Sequence, residues 1–104
     1  MTALSITFHC TAPQLENWEK YLHNEFLSNI KKMEHIQRYI FSEVYSEMIE
    51  EGKNYNLLVL FDNEENRAIF MEEKLGLMAG KITDIFANEV MIFPTLLNPI
   101  KSEL

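Results

Sequence analysis

The sequence predicts an α+β domain of order β-α-β-β-α-β, with one four-stranded antiparallel sheet and two helices on one of its faces. Three observations predict it. Residues 4–10 alternate apolar and polar with period two. Residues 14–32 carry apolar side chains at steps of three and four. Two β-rich stretches then flank a glycine turn, and a second helical stretch leads into a last apolar strand.

The first strand is Leu4 to Cys10. Leu4, Ile6, Phe8 and Cys10 point one way and Ser5, Thr7 and His9 the other. Thr11-Ala12-Pro13 stops it, and Pro13 suits the first helical position, where a missing N–H costs little. The helix that follows is expected over Gln14 to Lys32. Leu15, Trp18, Leu22, Phe26, Ile30 and Met33 form its apolar stripe. Glu16 and Lys20 stand in the favourable i, i+4 order, and Lys31-Lys32 suit the negative end of the helix dipole.

Glu34 to Glu50 is rich in β-formers, and neither of its parities is cleanly polar. Glu50 to Asn54 reads as a turn, with Gly52 free to take positive φ. Tyr55 to Phe61 is the returning strand of a hairpin. Asp62-Asn63-Glu64-Glu65 opens the second helix as a variant capping box, with Asp62 as the cap. Ala68, Ile69, Met71 and Leu75 give that helix an apolar side, and Gly76 and Gly80 are expected to break or bend it. A further short helix is expected from Leu77 to Ala87, with Met78, Ile82, Ile85 and Phe86 inward. The last strand is Glu89 to Thr95, and Pro94 inside its end implies an edge or a bulge there.

This order is the ferredoxin-like split βαβ arrangement. The chain of 104 residues is expected to make one domain, 1–104, with 98–104 a flexible tail. With 47% apolar residues it can build a core despite a net charge of −7. Two helices cover only one face of such a sheet. Tyr39, Phe41, Tyr45, Leu57, Leu58, Val59, Leu60, Met91 and Phe93 are too many to sit under them. The second face therefore needs a cover, and a second copy of the sheet supplies it as a closed two-fold homodimer, a dimeric α+β barrel. A sheet from a different protein is the rival cover.

The residues resemble a known bacterial family, a domain of unknown function placed with the dimeric α+β barrel proteins. The resemblance runs from Leu4 to about Leu97. Ser5-Ile6-Thr7 stands where the family reads Asn-Val-Thr, and Trp18, Tyr21 and Leu22 stand where it reads Trp-x-x-Trp-Met. Phe93-Pro94-Thr95-Leu96-Leu97 matches Phe-Arg-Thr-Leu-Leu. The chain departs at Phe26-Leu27-Ser28, where the family often has His-Ile-Pro, and at Ser5, which replaces the strand Asn. The resemblance implies the fold and the dimer.

Sixteen Asp+Glu against nine Lys+Arg argue against a nucleic-acid surface or an anionic membrane surface. No apolar run is long enough for a membrane span. The first five residues carry no basic segment, so no signal peptide is expected, and the expected location is cytoplasmic. A single cysteine excludes an internal disulfide and a cysteine metal cluster. Neither His9, His23 nor His35 belongs to an HxxxH or HExxH pattern. Glu19 and His23 are four apart on a helix and read as an ordinary solvated pair, so no metal and no cofactor is expected. The acidic runs Glu47–Glu51 and Glu72-Glu73 read as solvated surface. Trp18 and Cys10 read as core residues, since Cys10 has no base beside it to make a nucleophile.

No catalytic residue is assigned, and a non-catalytic binding or structural role is placed ahead of an enzymatic one. The alternative is a cofactor-independent oxygenase, or a carrier, that takes an apolar small molecule inside the barrel. Ser5, Thr7 and His9 would face that interior, and Tyr39, Phe41 and Tyr55 would line it.

Overall fold

The computed structural model describes residues 1–45 and 51–103. The strands are β1 (Thr2–Cys10), β2 (Arg38–Glu43), β3 (Lys53–Phe61) and β4 (Val90–Leu97). They form one sheet of order β2-β3-β1-β4, and every neighbouring pair is antiparallel. A first helix occupies residues 12–31 between β1 and β2. A second occupies residues 64–86 between β3 and β4. The expected element order and ferredoxin-like architecture are thus present, with β2 and β4 as the edges.

Burial along β1 follows the pleat. Leu4, Ile6, Phe8 and Cys10 are fully buried against the helices, while Ser5, Thr7 and His9 are half-buried on the other side. The register carries this division across the sheet. Tyr55, Leu57, Val59 and Phe61 of β3 share the helix-covered face with Tyr39 and Phe41 of β2. Asn54, Asn56, Leu58 and Leu60 lie on the open face with Ile40, Met91 and Phe93.

The core is aromatic. Trp18 stacks on Tyr21 with centroids 5.9 Å apart and meets Phe86 edge-on at 5.5 Å. Phe8 meets Phe26 edge-on, and Phe41 stacks on Tyr55 at 6.0 Å. Such offset and T-shaped contacts use the ring quadrupoles as well as the buried area.

Both helices contain a π turn, Leu22–Phe26 in the first and Phe70–Leu75 in the second. The apolar stripe of the first helix explains its own. Trp18, Leu22, Phe26 and Ile30 are spaced by fours, and on an ideal α-helix each such step overshoots a full turn by about 40°. A wider turn absorbs that drift, so Trp18, Leu22, Phe26 and Ile30 all reach the core.

The second helix corrects three expectations. Its cap is Asn63 and not Asp62: the Asn63 side chain accepts from the Asn66 backbone N–H at 2.8 Å. It runs through Gly76 and Gly80 without a break, because burial of Met78, Ile82 and Phe86 outweighs the roughly 1 kcal/mol that each helical glycine costs. Ile85 faces outward at 57% exposure, and Ala68 is exposed as well, whereas Phe70 is the buried anchor of that half.

The Glu50–Asn54 turn and the acidic run Glu47–Glu51 lie partly outside the described residues. Gly52 does take positive φ, at 82°. Pro94 sits on an edge strand, as its missing N–H requires. Arg67 of the second helix reaches the far end of the sheet and donates to the carbonyls of Ala3 at 3.1 Å and Leu97 at 2.8 Å. The same guanidinium donates to the Asn98 side chain at 3.1 Å, and Asn98 to Glu103 carry no helix or strand.

Candidate functional site

The open sheet face carries a polar row in an apolar frame. The alternation that buries Leu4, Ile6 and Phe8 puts Ser5, Thr7 and His9 on this side. Across the ladder they meet Leu58, Asn56 and Asn54 in that order. The Asn56 amide donates to Ser5 Oγ at 2.8 Å and to Thr7 Oγ1 at 3.3 Å. His9 Nδ1 lies 2.6 Å from Asn54 Oδ1. With Asn54 Oδ1 as acceptor the donor is the ring Nδ1–H, which leaves Nε2 outside this bond. These groups pair with one another, as half-buried polar atoms must. Around them stand Ile40 at 55% exposure and Phe93 at 53%, with Met91 and Leu97 also exposed.

Tyr39, Phe41 and Tyr55 are not part of this site. All three lie on the opposite face, and Tyr55 is only 5% exposed. Neither parity of β2 is cleanly polar and β3 is apolar on both parities over Leu57 to Phe61, so composition alone leaves the facing of these strands open, and a shift of one residue exchanges every side chain between faces. Asn54 and Asn56 were the missed signal. They share a parity, and pairing it with Ser5-Thr7-His9 places Tyr55 under the helices.

Tyr55 instead belongs to a small charged junction. Its hydroxyl donates to Glu19 Oε1 at 3.1 Å, and Lys53 Nζ stands 3.0 Å from Glu43 and 3.7 Å from Glu19. Burial first, and then the Glu19 carboxylate, push the Tyr55 phenol well above its ordinary range. Glu19 is therefore engaged here and does not pair with His23. Among the described residues no three His, Cys, Asp or Glu side chains gather as a metal site would require.

Trp18 is fully buried in the core, and its indole N–H has no acceptor among the described residues. Cys10 is fully buried too. Burial, and then the charges of Glu89, Glu51 and Glu19, push its thiol from 9.0 up to about 11. A thiolate nucleophile needs the opposite shift. The folded chain holds this proton more tightly than the unfolded chain. Its stabilising contribution is intact below pH 9 and is lost as pH rises through about 11. Denaturation midpoints between pH 8 and 11 should fall, and a Cys10→Ala chain should fall less steeply.

A separate cavity of about 490 Å³ lies between the two helices, on the covered side of the sheet. Sequence reasoning did not find it. Its wall includes Tyr21 and Ile30 of the first helix and Leu77 and Met78 of the second.

The fold and the self-paired polar row define a class: small ferredoxin-like domains with one covered and one open sheet face. The chain belongs to the family described as domain of unknown function DUF4286, whose model matches residues 1–100. No curated protein matches the chain. Several solved structures do share its fold. An EthD family protein from Bacillus halodurans is 15% identical, with a TM-score of 0.72, over 96% of this chain and 100% of that one. A Deinococcus radiodurans protein provisionally named an antibiotic biosynthesis monooxygenase is 12% identical, with a TM-score of 0.70, over 98% of this chain and 95% of that one. A dimeric ferredoxin-like protein from an uncultured marine organism is 14% identical, with a TM-score of 0.67, over 100% of this chain and 99% of that one. At these identities the likeness concerns the fold alone. Among the described residues no helix is long and apolar enough to cross a membrane.

Proposed function

We propose that the chain acts as a homodimer closed through the open sheet face, in a non-catalytic binding or structural role. The observation that carries this is the apolar frame on that face, Ile40, Met91, Phe93 and Leu97, all exposed in the single chain. Four exposed large apolar side chains on one sheet face mark it as a face that a partner would cover. A second copy related by a two-fold axis covers it with an identical frame and stacks the two sheets about 10 Å apart. The dimeric marine neighbour supports this reading.

The test is native mass spectrometry of the purified chain. The expected result is twice 12.3 kDa. A monomer at micromolar concentration would overturn the proposal.

One observation favours a second reading, a carrier or cofactor-independent oxygenase with its ligand between the sheets. On closure Ser5, Thr7 and His9 become interior, and His9 Nε2 is the one ring nitrogen not engaged with Asn54. The fold neighbour named as a monooxygenase is in keeping with it. This reading requires extra mass on the dimer, and loss of that mass in a His9→Ala chain.

A further inference from the structure

The cavity between the helices is lined by apolar side chains and by lysines. Tyr21, Phe26, Ile30, Met33, Leu77 and Met78 supply the apolar wall. Lys32, Lys74 and Lys81 line it too, together with Glu34 and Glu73. Three of the nine Lys+Arg of the chain thus line one cavity, against two of the sixteen Asp+Glu. The lining thus carries one more lysine than carboxylate in a chain of net charge −7, with Glu25 also acting on Tyr21.

These lysines are also unengaged. Lys20, Lys53 and Lys101 each pair with a glutamate elsewhere, whereas among the described residues Lys32, Lys74 and Lys81 have no carboxylate within ion-pair distance. The Tyr21 hydroxyl likewise makes no hydrogen bond among the described residues.

The geometry of the two helices bears on the same place. Both π turns border it: Phe26 ends the first, and Lys74 lies in the second. A π turn inserts a residue into helical phase and re-aims the side chains beside it, Phe26 and Lys74 among them. His35, just after the first helix, also lines the cavity and holds a positive φ of 73°. A non-glycine residue in that region stores backbone strain, a mark of ligand clamps.

We propose that this cavity binds a small amphipathic carboxylate, its apolar body against Ile30, Met33 and Met78 and its carboxylate among Lys32, Lys74, Lys81 and the Tyr21 hydroxyl. A volume of 490 Å³ falls within the range of small-molecule sites. The apolar wall supplies affinity by burial, and the ammonium groups select the charge. The site lies wholly on the helix side of the sheet, so it does not depend on the dimer proposed above.

The probe is sodium decanoate, titrated into the ¹⁵N-labelled full chain and followed by amide chemical shifts. Decanol and decylamine serve as the neutral and cationic controls. Decanoate should give a saturable response at Ile30, Met33, Leu77 and Met78, and the two controls should not. Lys32→Glu combined with Lys81→Glu, both at exposed positions, should weaken decanoate by roughly tenfold or more with the fold intact. Leu77→Trp, at a position 67% exposed, should fill the cavity and abolish the response. Equal binding of decanol, preference for decylamine, shifts centred on Thr7 and Asn56, or no saturation in the millimolar range would each overturn the proposal.

Discussion

A Phe93→Asp chain is expected to run as a folded monomer. Phe93 lies opposite Thr7 on the open face and is already 53% exposed, so aspartate meets water there in the single chain. The fold should therefore keep its thermal midpoint to within a few degrees, because exposed substitutions cost about 0.5 kcal/mol or less. In a face-to-face dimer the same carboxylate is buried twice about the two-fold axis. Removing a charge from water without a partner costs several kcal/mol per site, enough to shift a dimer constant by more than roughly a thousandfold. Ile40→Asp, 55% exposed on the far edge strand, should act in the same direction. Light scattering reads both results. A Phe93→Asp chain that stays dimeric would place the interface elsewhere. Phe41→Asp is a different experiment. Its ring lies against Phe8, Phe26 and Tyr55 on the helix side, so aspartate there should unfold the chain itself.

Gly52→Ala should be the most costly change available by a single methyl group. Gly52 holds φ at 82°, and a Cβ built on it would sit 2.1 Å from the carbonyl oxygen of Cys10. That atom is backbone at the end of a central strand and cannot step aside as a side-chain tip could. Left-handed strain costs about 1–3 kcal/mol, and relief of the clash adds to it. Urea denaturation should show a loss of at least about 3 kcal/mol with an unchanged slope. A loss below about 1 kcal/mol would mean that the turn relaxes away from Cys10.

The contrast between β1 and its neighbours shows how much of the molecule its residues announce. In β1 one parity is apolar and the other polar, so strand, facing and partners all follow, and Ser5, Thr7 and His9 fall on the open face as their alternation requires. The first helix is equally legible in its extent and apolar stripe, whereas its wide turn, which the fours between Trp18, Leu22, Phe26 and Ile30 explain, is not among the sequence expectations. In β2 and β3 each parity mixes apolar and polar residues: Arg38, Ile40 and Ser42 against Tyr39 and Phe41, and Asn54, Asn56, Leu58 and Leu60 against Tyr55, Leu57 and Val59. Period alone cannot tell which is which, and Tyr39, Phe41 and Tyr55 were assigned to the wrong side for that reason. The helix-side cavity was hidden differently. It joins residues 21–35 to residues 73–81, and no local pattern reports a distance between two helices. Lys74, Leu77 and Lys81 along one helix face were its only trace.

Pro94 limits what aggregates the chain can form. It lies on β4, an outermost strand, and has no N–H to offer a newcomer laid alongside. At the other rim β2 is short, six residues with Arg38 at one end and Glu43 at the other, the latter held by Lys53. Sideways accretion of strands is thus discouraged at both margins, while the broad surface between them remains adhesive. A particle with sticky breadth and poor margins consumes its own adhesive surface in one pairing. It stops growing there, which separates a finite assembly from a fibre.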